Sequence, residues 1–242
     1  MIQLNYKKKL GILGLSLLYS QLVIATEQIP SKWNGEVEFG YVKTSGNTDV
    51  ENITLKAKLV NQRPKWTHEL RFSGIKNEDS GDTTAKNYVL QEDSKYKLSG
   101  RDYVFGVLRY EKDDFAGFDY RITEIIGYGR RVLKQKDYSL DLEAGAGARQ
   151  TGFSDVADSK EGIGRLAGDF KWKISDTSKF NQEVTIDFGN DNTVSNALSE
   201  LAVTIVGQLA VKLNLRITHN TDVPPKTDKT DIKSGVTIAY DF

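Results

Sequence analysis

The segment Tyr138-Ser-Leu-Asp-Leu-Glu-Ala-Gly-Ala-Gly-Ala-Arg149 alternates without a break. Tyr138, Leu140, Leu142, Ala144, Ala146 and Ala148 fall on one side, and Ser139, Asp141, Glu143, Gly145, Gly147 and Arg149 on the other. A helix would scatter both sets around its circumference, whereas a period of two is that of a strand. Such a strand has one dry face and one face rich in charge.

The same pattern recurs on both sides of this segment. In Gly164–Ile174, Leu166, Phe170, Trp172 and Ile174 oppose Arg165, Asp169, Lys171 and Lys173. In Phe180–Phe188, Val184, Ile186 and Phe188 oppose Asn181, Glu183, Thr185 and Asp187. Leu209–Ile217 sets Lys212, Asn214 and Arg216 on its polar side, and the chain ends with Ile232, Val236, Ile238, Tyr240 and Phe242 on one face. Weaker patterns cover residues 33–43, 50–60, 66–74, 87–98, 103–110, 121–132 and 198–206, which brings the expected total to twelve strands. Residues 103–110 and 121–132 alternate poorly, and Glu92 falls on the apolar side of its strand, where a bulge or a different register is expected.

The connections alternate as well. Residues 61–65, 99–101, 134–136, 175–178 and 207–208 are short links; 75–86, 112–120, 150–162, 189–197 and 220–230 are long and polar, with 45–49 the one short member of that set. Short turns at one end and long loops at the other predict a transmembrane antiparallel up-and-down β-barrel. Trp33, Trp66 and Trp172 then fall at the short-turn end, where an interfacial aromatic girdle belongs. A soluble β-sandwich would also carry one polar face, but it has no reason to sort its loops by length.

Lys7, Lys8 and Lys9 precede an apolar stretch, Leu10–Leu18, and Val23-Ile24-Ala25 offers a cleavage site. That is the layout of a secretory signal peptide over residues 1–25; the apolar core is short for a spanning helix of about 20 residues. The expected layout is the signal, a short mature segment at 26–32, and a barrel over 33–242. The full chain has 33 Lys+Arg and 33 Asp+Glu, and cleavage removes three lysines and no acid, leaving a net charge of −3. This balance argues against a broad nucleic-acid surface.

Thirteen charges share one face by parity: Glu36, Glu38, Lys56, Lys58, Glu69, Arg71, Asp141, Glu143, Arg165, Asp169, Lys171, Lys212 and Arg216. In a membrane barrel that face is the hydrated lumen. Both signs occur, so they can pair across it, which predicts a narrow path with weak ion preference.

Trp33-x-Gly35, Gly40-Tyr41 and Thr44-Ser-Gly-Asn-Thr48 resemble the opening of the salt-induced outer-membrane protein family. Tyr110-Glu-Lys-Asp113, Phe118-Asp-Tyr-Arg121, Gly127-Tyr-Gly129 and Glu143–Arg149 resemble its middle. The resemblance implies a Gram-negative outer-membrane barrel, with outer-membrane lipid and lipopolysaccharide around it, and carries no catalytic residues. Tyr240 and terminal Phe242 resemble the signal read by the barrel-assembly machinery, although Gly235 lies two residues early.

No motif demands a cofactor or a metal. Gly127-x-Gly129 and Gly145-x-Gly147 lack the third glycine of a nucleotide loop, and alternate glycines in a strand remove bulk from one face. Asp187–Asn192 lacks the calcium-loop glycine and glutamate. There is no cysteine, and the two histidines are His68 and His219. His219-Asn-Thr221 faintly resembles the His-x-Ser of outer-membrane phospholipase A, with threonine in place of serine. The expected function is a narrow passive pore or an envelope-structural, stress-related barrel. The alternatives are a lipid-modifying enzyme at the external rim or a soluble secreted β-protein. N-terminal sequencing of the exported chain should begin at Thr26; an intact Met1 start would mean that residues 1–25 are an anchor.

Overall fold

The computed structural model describes residues 32–44, 50–114, 118–153, 157–190, 192–223 and 228–242; the proposed signal peptide lies outside them. Twelve antiparallel strands follow one another around a closed barrel: β1 (Lys32–Thr44), β2 (Val50–Gln62), β3 (Trp66–Asp79), β4 (Asp82–Lys97), β5 (Asp102–Asp113), β6 (Phe118–Lys134), β7 (Tyr138–Gly152), β8 (Ser159–Lys173), β9 (Ser178–Gly189), β10 (Val194–Val206), β11 (Leu209–Asn220) and β12 (Thr230–Asp241). Each strand pairs with its neighbours in sequence, and β12 returns to β1.

Closure is made at the terminal end of the barrel, where β1 begins and β12 finishes. Four residue pairs join β1 to β12, from Glu36–Asp241 to Phe39–Ile238, against thirteen between β1 and β2. The seam is extended by Gly35 and Phe242, each N–H donating to the other's carbonyl at 2.7 and 2.8 Å. The Phe242 ring lies over Gly35, where a Cβ would stand 2.2 Å from it. The last residue of the chain therefore occupies the space that the missing side chain leaves.

The outer surface is apolar. Val37, Phe39, Leu55, Leu70, Leu90, Leu108, Ile126, Leu142, Leu166, Val184, Leu213, Val236 and Ile238 all project outward and are exposed. At the terminal end they are edged by Trp33, Trp66, Tyr128, Tyr138, Trp172 and Tyr240, and at the opposite end by Tyr41, Tyr88, Tyr110 and Phe188. Two aromatic rings around an apolar band are the outline of a strand barrel fitted to hydrocarbon between two polar interfaces.

Strands β5 and β6 alternate poorly because both of their faces are apolar. Tyr103, Phe105, Val107 and Ile125 point inward and, with Ile163 of β8, form a buried cluster against that wall. The glycines of β6 and β7 make room for it. A Cβ on Gly129 would stand 2.3 Å from the Tyr103 ring, and one on Gly127 2.6 Å from the Phe105 ring. Gly147 is tighter still, its missing Cβ only 1.8 Å from the Glu124 carbonyl oxygen.

The expected long loop at 75–86 is instead a hairpin that continues β3 and β4. It turns at Ser80 and Gly81, both at positive φ (54° and 88°), as a two-residue turn that follows strand twist requires. Lys76 and Glu78, which pair with each other, and Asp82–Thr84 lie beyond the apolar band. Water reaches both faces there, so the hydrophobic alternation disappears while the strand persists.

Leu142 faces outward near the middle of the band. Leu142→Arg should cost roughly 2 kcal/mol, the penalty of a cation in hydrocarbon, while Glu143→Gln on the inner face should cost far less. The loss of gel mobility on heating, followed against temperature for both variants, reads the difference.

Candidate functional site

β3 and β9 stand on opposite walls of the closed ring, so a bond between them can only cross the interior. Arg71 on β3 makes one: Nη1 donates to Glu183 Oε2 on β9 at 3.2 Å. Its Nη2 donates to Asp93 Oδ2 at 2.8 Å, and Nε lies 3.3 Å from Glu69 Oε1. One guanidinium thus gathers three carboxylates and ties the two walls together. Alternation along each strand then puts the other twelve charges expected inside on this inner face.

Nearer the terminal end is a second knot. Lys212 Nζ lies 2.8 Å from Glu36, 2.8 Å from Glu38 and 3.0 Å from Glu200. Lys58 pairs with Glu36 and Lys56 with Glu38, each at 3.0 Å. Thr237 donates to Glu38 at 3.0 Å, and Lys56 also donates to Asn214 at 3.3 Å. These contacts cross β1, the narrow seam with β12, and β11, so side chains brace the closure where backbone pairing is shortest.

The remaining inner charges are mostly tied as well. Asp141 accepts two bonds from Arg131, at 2.6 and 2.8 Å. Glu143 accepts from Lys95 at 2.6 Å and from the Tyr103 hydroxyl at 2.8 Å. Arg165 and Asp187 form a buried two-pronged pair at 2.6 and 2.7 Å, and Asp169 meets Lys171 at 2.7 Å. Arg149 pairs with Glu161 at 2.7 Å, and Arg109 with Glu111 at 3.2 Å. Arg216 differs: it is exposed to the interior and has no ion pair or hydrogen bond among the described residues. Of the principal partners, Asp93, Lys95, Tyr103, Arg131, Glu183, Asp187 and Glu200 were not among the thirteen.

Glu92 does face outward. It pairs in regular register with Leu70 and Leu108, and the only bulge between β3 and β4 is at Asn77/Glu78. The expected disturbance of register is absent because local partners satisfy the carboxylate. Ser94 Oγ donates to Glu92 at 2.6 Å, and His68 Nδ1 lies 2.7 Å from Ser94 Oγ and 3.2 Å from Glu92. Trp66 stacks on the His68 ring at 5.4 Å, which places this polar group within the aromatic edge. One imidazole nitrogen faces both oxygens, unlike a relay in which the two ring nitrogens divide acid and hydroxyl.

His219 lies on the outer face at the loop end, its Nδ1 2.8 Å from Thr230 Oγ1. Thr221 is turned to the neighbouring loop, accepting from the Thr193 amide at 2.9 Å and donating to Asn192 at 3.2 Å. Among the described residues no carboxylate lies within ion-pair distance of His219. No group of metal-ligating side chains is found among them either, and Asp187 of the Asp187–Asn192 segment is committed to Arg165.

Residues 37–242 match the family described as "Protein of unknown function, DUF481", and the chain belongs to that family. It is 26% identical over 209 residues to the uncharacterized protein YdiY of Escherichia coli K12, spanning 86% of this chain and 82% of that one. Among solved structures, the fold is similar to the NanC porin (TM-score 0.55, 12% identity, 85% of this chain and 98% of that chain). It is also similar to the COG4313 outer membrane channel from Pseudomonas putida F1 (TM-score 0.53, 12% identity, 90% and 97%). These likenesses establish a shared barrel fold. The family description carries no activity and does not mention salt induction.

Lys212 is 4% exposed and is the common counter-ion of three carboxylates. Lys212→Met should destabilise the barrel by about 3 kcal/mol, because it strands buried negative charge. Adding Glu38→Gln should recover part of the loss. Urea unfolding in micelles tests both; an unchanged midpoint for the single variant would show that the knot contributes nothing.

Proposed function

We propose that this chain is an outer-membrane barrel of a Gram-negative envelope that acts as a narrow passive conduit with a constricted, charged interior. The observation that carries this reading is the Arg71–Glu183 bond between opposite walls, set in a barrel that is apolar outside and charged within. Water and small solutes would pass beside this strap, not through a wide channel. Three carboxylates against one guanidinium leave the strap a formal charge of −2, which the arginines further out in the lumen offset. The paired lumen then gives small current and weak preference between bulk ions.

In this reading the termini and short turns lie in the periplasm and the long loops outside. Export uses a signal peptide cleaved after Ala25, and Tyr240 with Phe242 is the feature that the assembly machinery reads. Gly35 gives Phe242 a seat on the finished barrel, so the same residue serves targeting and closure. The outer face meets lipid and, beyond Tyr41 and Tyr110, lipopolysaccharide. No catalytic step or cofactor is invoked, and a salt-stress role would act through the conduit or through envelope structure.

Glu183→Gln removes the cross-lumen ion pair but leaves Arg71 with Asp93 and Glu69, so the variant should fold. In planar bilayers the refolded wild type should give small unitary currents, and Glu183→Gln larger ones. A wide-open wild type, or no current from either protein, would overturn the conduit. Recovery of the native chain from the soluble periplasm would overturn the membrane reading itself.

A further inference from the structure

The inner charges divide unevenly on the loop side of the strap. Arg71 lies five residues beyond Trp66 and Glu183 five beyond Ser178, whereas Arg109 lies seven beyond Asp102 and Arg216 seven beyond Leu209. Arg109 and Arg216 therefore sit about one inward-facing position further from the termini. Their strands, β5 and β11, are again opposite walls, yet Arg109 is among the charges that act on Arg216, with Arg71, Glu183 and Glu111.

Most carboxylates of this region are already engaged. Arg71 holds Glu69, Asp93 and Glu183; Arg165 holds Asp187; Arg149 holds Glu161; Arg109 holds Glu111. Two guanidiniums are left without a carboxylate within ion-pair distance among the described residues. Arg216 is one, exposed to the interior. Arg121 of β6 is the other, with its guanidinium 4.1 Å from the Phe118 ring centre and its Nε donating to Thr151 Oγ1 at 3.4 Å. Arg109 and Arg149 act on Arg121 as like charges.

The approach of Arg216 to Arg109 and Arg71 is unfavourable, and the attraction of Glu183 and Glu111 offsets it without an ion pair or hydrogen bond. The approach becomes favourable once an anion stands between the walls. A guanidinium presents a planar fork of donors that matches a carboxylate in two parallel hydrogen bonds. The strap shows the same chemistry inside this lumen, since Glu183 already presents a carboxylate to Arg71.

We infer that Arg216 and Arg109, with Arg121 further out, form a binding vestibule for small carboxylate solutes on the loop side of the Arg71–Glu183 strap. The assignment deepens the conduit reading and rests on it for its biological sense, but binding itself does not require current. An entering carboxylate would meet Arg216 and Arg109 before it reached the strap. It would find there Arg216 and Arg121, which have no side-chain carboxylate within ion-pair distance among the described residues, with Lys233 opposite Arg216 on β12 and Arg109 shared with Glu111. Large neutral solutes gain nothing from this arrangement.

The experiment uses the full mature chain refolded in micelles, with citrate as the probe carboxylate and calorimetry as the readout. Wild type should bind citrate, and Arg216→Gln should weaken it at least about tenfold, the equivalent of 1.4 kcal/mol. Arg216→Lys, which keeps the charge and loses the fork, should fall between the two. Because Arg216 lacks a partner, Arg216→Gln should not lower the thermal midpoint of the barrel, whereas Arg165→Gln, which strands Asp187, should lower it. No citrate binding by wild type, or equal binding by wild type and Arg216→Gln, overturns the site. Inorganic phosphate bound as tightly as citrate overturns the carboxylate assignment. A bilayer recording on the same samples separates the two proposals: binding without current leaves the vestibule standing and removes the conduit, and current without binding does the reverse.

Discussion

In hydrocarbon, a backbone N–H or C=O that lacks a partner costs several kcal/mol, and no water is present to supply one. A sheet can meet that constraint only by returning to its own first strand. Here the return is made by four residue pairs and by Gly35 with Phe242, and much else in the molecule can be read as its consequence. An antiparallel ring needs an even number of strands, with both termini at one end. It needs residues that alternate between an outer face matched to lipid and an inner face that lipid never meets. It also needs support where backbone pairing is short, and the Lys212 knot lies there, joining β1 to β10 and β11 through side chains.

This origin explains what could be read from sequence. Strand count and order were legible because one face must be apolar at every second position, and β7 shows that most clearly. The inward placement of Glu36, Lys56 or Arg165 was legible for the same reason. Strands β5 and β6 were obscure because Phe105 and Ile125 pack inward, which erases the contrast between faces. The extent of β3 and β4 was obscure because beyond Ile75 both faces are polar, with Lys76 and Glu78 on one and Asn77 and Asp79 on the other. Glu92 seemed misplaced because alternation assumes that an outward carboxylate has no partner, whereas His68 and Ser94 lie beside it at the aromatic edge.

The pairing of the inner charges was beyond the reach of periodicity. Arg71 and Glu183 are 112 residues apart, and their contact depends on two strands lying on opposite sides of a ring whose diameter follows from strand number and stagger. A pattern with period two gives the side on which a residue stands, and carries no information about what stands across from it. For that reason Asp93, Lys95, Arg131 and Glu200 went unmarked although each closes a bond on one of the thirteen charges.

The same ring sets a limit on how its charges can be used. A barrel of this size is narrow enough for long side chains from opposite walls to meet. Opposite charges then find one another, and each pair such as Arg165–Asp187 recovers in attraction and hydrogen bonds what its partial dehydration costs. Paired charges of this kind hold the walls in place and present little net field to a passing solute. Specificity has to come from whatever the pairing leaves over. Because Arg71 takes three carboxylates where one would suffice, the arginines beyond it are left short, and Arg216 is left without an ion pair among the described residues. The feature that narrows the lumen thereby separates its charges, with carboxylates gathered at the strap and guanidiniums left without an ion pair on its loop side.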